Sequence, residues 1–344
     1  MRLDGLQCGR AIAALMVAIF HANLFLLPSK FYDGQGAGAV FNFGYAGVEF
    51  FFVLSGFIMM YVHDKDFGQP ARTVLFLKKR IIRIYPIYWV ILTGLILLYF
   101  AAPGSGPENA RDTQSIMASY LLLPLPAEEP ILRVAWTLQH EMLFYLIFSV
   151  LLLNIRLGMA LCALWITGCL FALLTGGLQA FPFDMVFKSH NLLFVFGIIA
   201  AKILPKVTRD TAVLCFWIGS ASFLGQGMLE TLAGLALPKD WIPLGYGLSA
   251  TLVILGLARA ELPAPRWLAY LGDASYSIYL VHMPTMTIAA VALRKAGVHE
   301  VLPPLAMLAL ITCLVTLVGV VVHAYVEKPL MNAFKPKLTA RAST

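Results

Sequence analysis

The sequence predicts an all-α fold: a polytopic integral membrane protein of about ten transmembrane helices, with both termini in the cytoplasm. Three observations predict it. Of 344 residues, 60% are hydrophobic and 12% charged, about half the charged share of a soluble domain, and the mean hydropathy is +0.81. Mostly apolar windows of bilayer-spanning length, roughly 17–25 residues, recur along nearly the whole chain, at 9–27, 44–62, 84–102, 134–153, 158–175, 187–204, 211–236, 242–258, 267–292 and 302–326. With the N-terminus inside, 18 of the 25 Lys and Arg fall in inner segments and 7 in outer ones, the asymmetry that the positive-inside rule expects of an even number of spans. Residues 1–330 therefore read as one membrane domain and 331–344 as a short basic cytoplasmic tail. The net charge of +7 reflects the same bias, and no nucleic-acid partner is expected. Cys8, Cys162, Cys169, Cys215 and Cys313 lie in or beside apolar segments without metal-site or disulfide spacing. They read as small packing residues, and no metal site is expected.

The first helix follows a basic start but lacks a small-residue cleavage site, so it reads as an uncleaved span. It carries Arg10 and His21 in RAIAALMVAIFHA. Eleven residues are nearly a whole number of turns, so both side chains share a face, roughly 16 Å apart. Arg10 sits at the mouth of the helix and His21 near mid-membrane. An ionisable group in lipid is costly and marks a functional site by default, and histidine is the commonest general base near neutral pH. The alternative role is a hydrogen bond to a neighbouring helix. The second helix holds GYAGVEFFFVLSGFIM. Glu49, a turn or two below the outer surface, calls for an arginine or histidine partner, while Ser55 and Gly56 read as close-packing residues.

The inner loop 63–83 is the most basic stretch. Arg80 and Arg83, in FLKKRIIRIYPIYW, are i, i+3 and share a face at the entrance of the third helix, whose start Pro86 marks. Paired arginines fork onto phosphate oxygens, which suits a coenzyme A ester; anchoring beside Lys78 and Lys79 is the alternative. The outer segment 103–133 contains SIMASYLLLPLP, too short to span, which lies in the interface or dips back in. The fourth helix opens with AWTLQHEMLFYL. Glu141, about two turns in, is taken as cavity-facing. His140, about 100° away around the helix, is taken as packing, as are Trp136 and Tyr145.

The fifth to eighth helices carry no motif; the sixth is short and follows Lys188 and His190. In the ninth, YLGDASYSIYLVHMP sets Ser275, Tyr279 and His282 at i, i+4 and i+7, one polar stripe facing protein or water. His282 is expected roughly 20 Å in from the cytoplasm. The tenth ends in HAYVEKPL, where His323 and Glu327 read as a helix-terminal pair, and His63, His190 and His299 fall in loops or at helix ends. By depth, Arg10, Arg80 and Arg83 lie on the cytoplasmic side and His21 at the centre, with Glu49, Glu141 and His282 between the centre and the outer surface. The order suits a cavity that takes an anionic ligand from the cytosol. A proton-coupled transporter would use the same residue types, but the chain has neither an inverted repeat nor paired broken helices.

These motifs resemble the membrane acyltransferase 3 family, which includes O-acetyltransferases of O-antigen, Nod factor and exopolysaccharide. LQCGRAIAALMVAIFHA, GYAGVEFFFVLSGFIM, FLKKRIIRIYPIYW, AWTLQHEMLFYL, YLGDASYSIYLVHMP and the terminal VEKPL occur in order along the whole chain, and the fourth block looks closest to the exopolysaccharide branch. The resemblance implies ten helices in a bacterial inner membrane and an acetyl group taken from cytosolic acetyl-CoA. It implies an essential Arg10–His21 pair, with Arg80 and Arg83 binding the donor. It also implies a glycan or lipid-linked sugar hydroxyl as acceptor, and polysaccharide biosynthesis proteins as partners. Gly9 stands where the family pattern has leucine. No hydrolase-like domain follows, so transfer is expected to finish at the membrane domain or with another protein. On this reading His21 is general base or acyl carrier, Glu141 and Glu49 orient it or the acceptor, and segment 103–133 selects the acceptor.

Overall fold

Why these residues form helices is set by the membrane: with no water to satisfy the backbone, an apolar segment must bond internally. The computed structural model describes residues 3–102, 104, 106–234 and 238–334, which contain no β-strand beyond one isolated bridge. Ten spans are long and apolar enough to cross a bilayer: α1 Asp4–Lys30, α2 Ala39–Asp66, α3 Pro70–Ala101, α4 Arg133–Leu153, α5 Ile155–Leu174, α6 Phe183–Lys206, α7 Arg209–Thr231, α8 Ile242–Arg259, α9 Ser275–Lys295 and α10 Pro304–Ala333. An even number of alternating spans sets both ends of the described chain at one end of the bundle, called here the arginine end.

The interior is organised around α2 and α4, the two most buried spans. Phe52 of α2 and Phe144 of α4 both pack on Phe194 of α6, the latter stacked at 4.3 Å. Where α2 crosses α6, small residues allow backbone contact: a Cβ on Gly56 would stand 2.0 Å from the Phe194 carbonyl oxygen, and one on Gly197 1.9 Å from that of Val53. The bundle's outer surface exposes Leu97, Leu164, Leu174, Trp217 and Leu317, as a lipid-facing surface requires.

Three elements differ from the sequence expectation, and a fourth decides between two alternatives that the sequence leaves open. First, α3 starts at Pro70, not near 84, and Pro86 lies inside it. Pro70 occupies a first-turn position, where a missing N–H costs nothing, whereas Pro86 forfeits one backbone bond within an otherwise continuous helix. The basic stretch is therefore mostly helical. Second, the ninth span is broken. Arg266–Asp273 forms a short helix of its own, Ala274 ends it, and α9 begins at Ser275. Gly272 allows that short helix to meet the α1 backbone, since a Cβ there would lie 1.9 Å from the Gln7 carbonyl oxygen. His282 is then seven residues from the start of its span, roughly 10 Å rather than 20 Å.

Third, α1 and α10 each contain one π-helical turn, at Ala22–Leu26 directly after His21 and at His323–Glu327. Such turns occur often at functional sites. Fourth, segment 103–133 does dip back into the bundle. Asp112 caps a helix over Thr113–Leu121 by accepting from the Ser115 N–H. The far end of that helix meets the middle of α3. There Tyr88 donates to the Ser119 carbonyl at 2.7 Å, Trp89 to that of Tyr120 at 2.9 Å, and Tyr85 to that of Leu121 at 3.0 Å. Side chains of α3 thus satisfy the carbonyls that a helix end leaves orphaned. The seventh helix ends at Thr231, and residues 235 and 236, expected within it, lie outside the described residues, as do residues 335–344 of the tail.

Candidate functional site

Two cavities meet inside the bundle. The smaller, about 160 Å³, opens at the arginine end and is lined by Arg10, Arg80, Arg83, Glu141, Ser275 and Tyr279, among others. The larger, about 640 Å³, lies beyond it and is lined by His21, Glu49, His190, Glu230, Arg133 and Tyr279, among others. Only Val48 and Tyr279 line both. Tyr279 is fixed as a partition: its hydroxyl donates to the Val134 carbonyl at 3.1 Å and exchanges a hydrogen bond of 2.9 Å with Thr137, while its ring meets Phe51 and His282.

The arginine cavity brings together residues from five separate parts of the chain. Arg83 is anchored: it makes an ion pair with Glu327, whose side chain is fully buried. The second oxygen of Glu327 accepts from Ser277 at 2.7 Å and from His323 at 2.6 Å. The pair expected to close a helix end is therefore the buried foot of a tertiary network. Part of Arg83's charge is balanced by this carboxylate. Arg80 stands differently, with its guanidinium near the rings of Phe76 and Tyr145 and its Nε buried without a hydrogen-bond partner. Arg10 is held by Gln7 Oε1 at 3.2 Å. Glu141 accepts from Tyr145 at 2.5 Å and from Ser55 at 3.0 Å. It thus lies with the arginines, not beside Glu49 toward the outer side as its sequence depth suggested, and it does not share the chamber of His21.

In the larger chamber, His21 Nδ1 donates to the Val17 carbonyl at 2.8 Å. A carbonyl can only accept, so the proton is on Nδ1, and Nε2 keeps its lone pair. His282 is built the same way, with Nδ1 on the Tyr279 carbonyl at 2.5 Å and Nε2 unpartnered. The two imidazoles lie 5.0 Å apart. His282 lines neither cavity and backs His21, whereas Ser275 and Tyr279 of the same stripe face the arginine cavity. Glu49 is buried, with one oxygen 3.9 Å from His190 Nε2 and the other without a partner. His140 is buried and donates to Asn191 at 2.8 Å, a packing role. Arg10 and His21 share one helix face yet serve different chambers, separated at the level of Tyr279.

Sequence reasoning missed several lining residues. Ser55 was read as packing, and His190 as a loop histidine. Glu230 carried a signal, since it falls inside the predicted apolar window 211–236, where any carboxylate marks a site by default. The described residues hold no group of three or more His, Cys, Asp or Glu suited to a metal ion.

The interior of this helical membrane bundle holds an arginine-lined pocket on one side of a buried tyrosine and the His21 imidazole on the other, and the class follows from its relatives. The acyltransferase-3 profile, described as an acyltransferase domain, matches residues 3–324, and the chain belongs to that family. It is 32% identical over 315 residues to the exopolysaccharide production protein ExoZ of Rhizobium meliloti (strain 1021), covering 88% of this chain and 94% of that protein. It is 26% identical over 360 residues to the putative membrane-bound transacylase BcsY of Komagataeibacter xylinus, covering 95% and 81%. No solved structure is significantly similar to the chain.

Proposed function

We propose that this acyltransferase is an O-acetyltransferase of the bacterial inner membrane, moving an acetyl group from cytosolic acetyl-CoA to a hydroxyl of an exopolysaccharide sugar or its lipid-linked precursor. The observation that carries the reading is the division of the interior by Tyr279, with arginines in one cavity and the lone pair of His21 in the other. The excess of basic residues at the arginine end supports its assignment to the cytoplasm. The printed names of ExoZ and BcsY, one concerned with exopolysaccharide and one with acyl transfer, support the substrate class.

On this reading the donor's phosphates bind Arg80 first, because Arg83 is already shared with Glu327, and Arg10 lines the same cavity. The thioester passes Tyr279 to reach His21. Nε2 of His21 takes the acceptor's hydroxyl proton as the oxygen attacks the thioester carbonyl carbon. The new C–O bond forms, the C–S bond breaks, and the leaving thiolate takes up the proton. Glu141, bonded to Ser55 and Tyr145, shapes the donor cavity. Calorimetry with the detergent-purified protein tests the reading: wild type binds acetyl-CoA with micromolar affinity and Arg80→Ala binds it about tenfold or more weakly. A folded wild type without binding overturns it in favour of a transporter.

A further inference from the structure

The wall of the larger chamber opposite His21 contains an arrangement that the transfer chemistry does not use. Glu230, at the end of α7, accepts from the Tyr45 hydroxyl at 2.6 and 2.8 Å and from the Tyr246 hydroxyl at 2.8 Å. Tyr246 is fully buried, and Tyr45 stacks edge-on against Phe20 and Tyr246. Each tyrosine has one proton to give. A carboxylate offers about four acceptor positions, so Glu230 keeps roughly two for a ligand. Glu49, across the same chamber and 2% exposed, has one oxygen with no partner at all.

Two carboxyl groups, Glu49 buried and Glu230 partly buried, make this chamber rich in acceptors. Two cationic side chains, Arg133 and Lys239, stand at its wall, and Arg133 is already paired with Glu129 at 2.7 Å. An anionic ligand would be repelled by the Glu230 carboxylate at low dielectric. A ligand that supplies several O–H donors and no charge answers them. Aromatic rings of Phe20, Phe25, Tyr45 and Trp136 also line the chamber and offer flat apolar faces to the C–H side of a pyranose. The volume, about 640 Å³, lies within the usual range for a small-molecule site.

We propose that Glu230, held by Tyr45 and Tyr246, is the residue that recognises the acceptor: it binds hydroxyls of a neutral hexopyranose unit, while another hydroxyl of that unit faces His21. The assignment rests on the acyl-transfer reading and deepens it. It also moves acceptor selection from segment 103–133, of whose described residues only Glu129 and Arg133 line the chamber, to the ends of α2, α7 and α8.

The test uses the full-length protein in lipid nanodiscs and measures transfer from radiolabelled acetyl-CoA to methyl hexopyranosides, with the methyl glycosides of an amino sugar and of a uronic acid as charged comparisons. Wild type accepts the neutral glycosides best. Glu230→Gln, whose amide removes the charge and replaces one acceptor oxygen by an NH2 donor, raises the glycoside KM about tenfold and leaves acetyl-CoA binding unchanged. Tyr45→Phe, which keeps the carboxylate and removes one donor, raises it less. Preference for a charged glycoside, transfer to none of them by a wild type that binds acetyl-CoA, or a Glu230→Gln effect confined to kcat overturns the proposal. Loss of acetyl-CoA binding in wild type strikes the acyl-transfer reading instead, and the two failures are told apart by the donor measurement alone.

Discussion

At the scale of single residues, the structure separates groups that the sequence presents as equals. Arg80 and Arg83 share a helix face, but only Arg83 is committed to a buried carboxylate. Arg80→Ala is therefore expected to weaken acetyl-CoA binding about tenfold or more, the value of a lost charge-assisted hydrogen bond or two, with little change in melting temperature. Arg83→Ala strands Glu327 inside the protein, a loss toward the lower end of the ~3–5 kcal/mol seen for broken buried pairs, since Arg83 is itself partly exposed. Thermal unfolding in detergent beside donor calorimetry checks both; equal effects of the two variants on the melting temperature would contradict the distinction. His21→Ala removes the only imidazole lining the larger chamber from α1. Transfer should fall by about 10²–10⁴, the contribution of a general base. Acetyl-CoA binding should persist, because the arginines occupy the other cavity. Full residual activity would sink the mechanism.

At the scale of elements, the sequence was readable wherever hydrophobicity alone decides. Seven windows match their spans to within about five residues at each end, and the i, i+3 placement of Arg80 and Arg83 holds because the helix extends back to Pro70. The break at Ala274 was not readable, because Arg266–Asp273 is apolar enough to merge with the span behind it. What ends it is packing of Gly272 on the α1 backbone, a tertiary fact. The same limit hid Glu327 and Ser55: their chemistry depends on Arg83 and Glu141, 244 and 86 residues away. Helix crossings show this physics most directly. Gly56→Ala drives a methyl group into the Phe194 carbonyl and should cost at least the ~1–3 kcal/mol of an overpacked core, lowering the melting temperature or abolishing folding. Gly94→Ala, on the exposed face of α3 with nothing within 4 Å of the new atom, should be neutral or slightly stabilising. Similar melting temperatures for the two would refute the crossing.

At the scale of the whole molecule, the arrangement answers a problem set by the chemistry proposed for it. A thioester held in a water-accessible cavity is lost to hydrolysis unless water is kept from the activated carbonyl. Here His21 and the three arginines lie in separate chambers, and Tyr279 stands between them with both its hydroxyl and its ring engaged. A partition of this kind keeps the carbonyl from His21 until the ring moves, and the hydrogen bonds to Thr137 and Val134 set how readily it does. Tyr279→Ala joins the two cavities and opens a continuous path for water. Acetyl-CoA hydrolysis in the absence of acceptor should rise severalfold, while transfer to sugar falls, because the activated thioester is spent on water. Tyr279→Phe keeps the ring but loses the bonds to Thr137 and Val134, so hydrolysis should rise less than in the alanine variant. Release of free coenzyme A, followed with a thiol reagent, measures all three proteins on one scale. If the alanine variant hydrolyses no faster than wild type, Tyr279 is not the barrier, and the separation of Arg10 from His21 must be bridged without passing it.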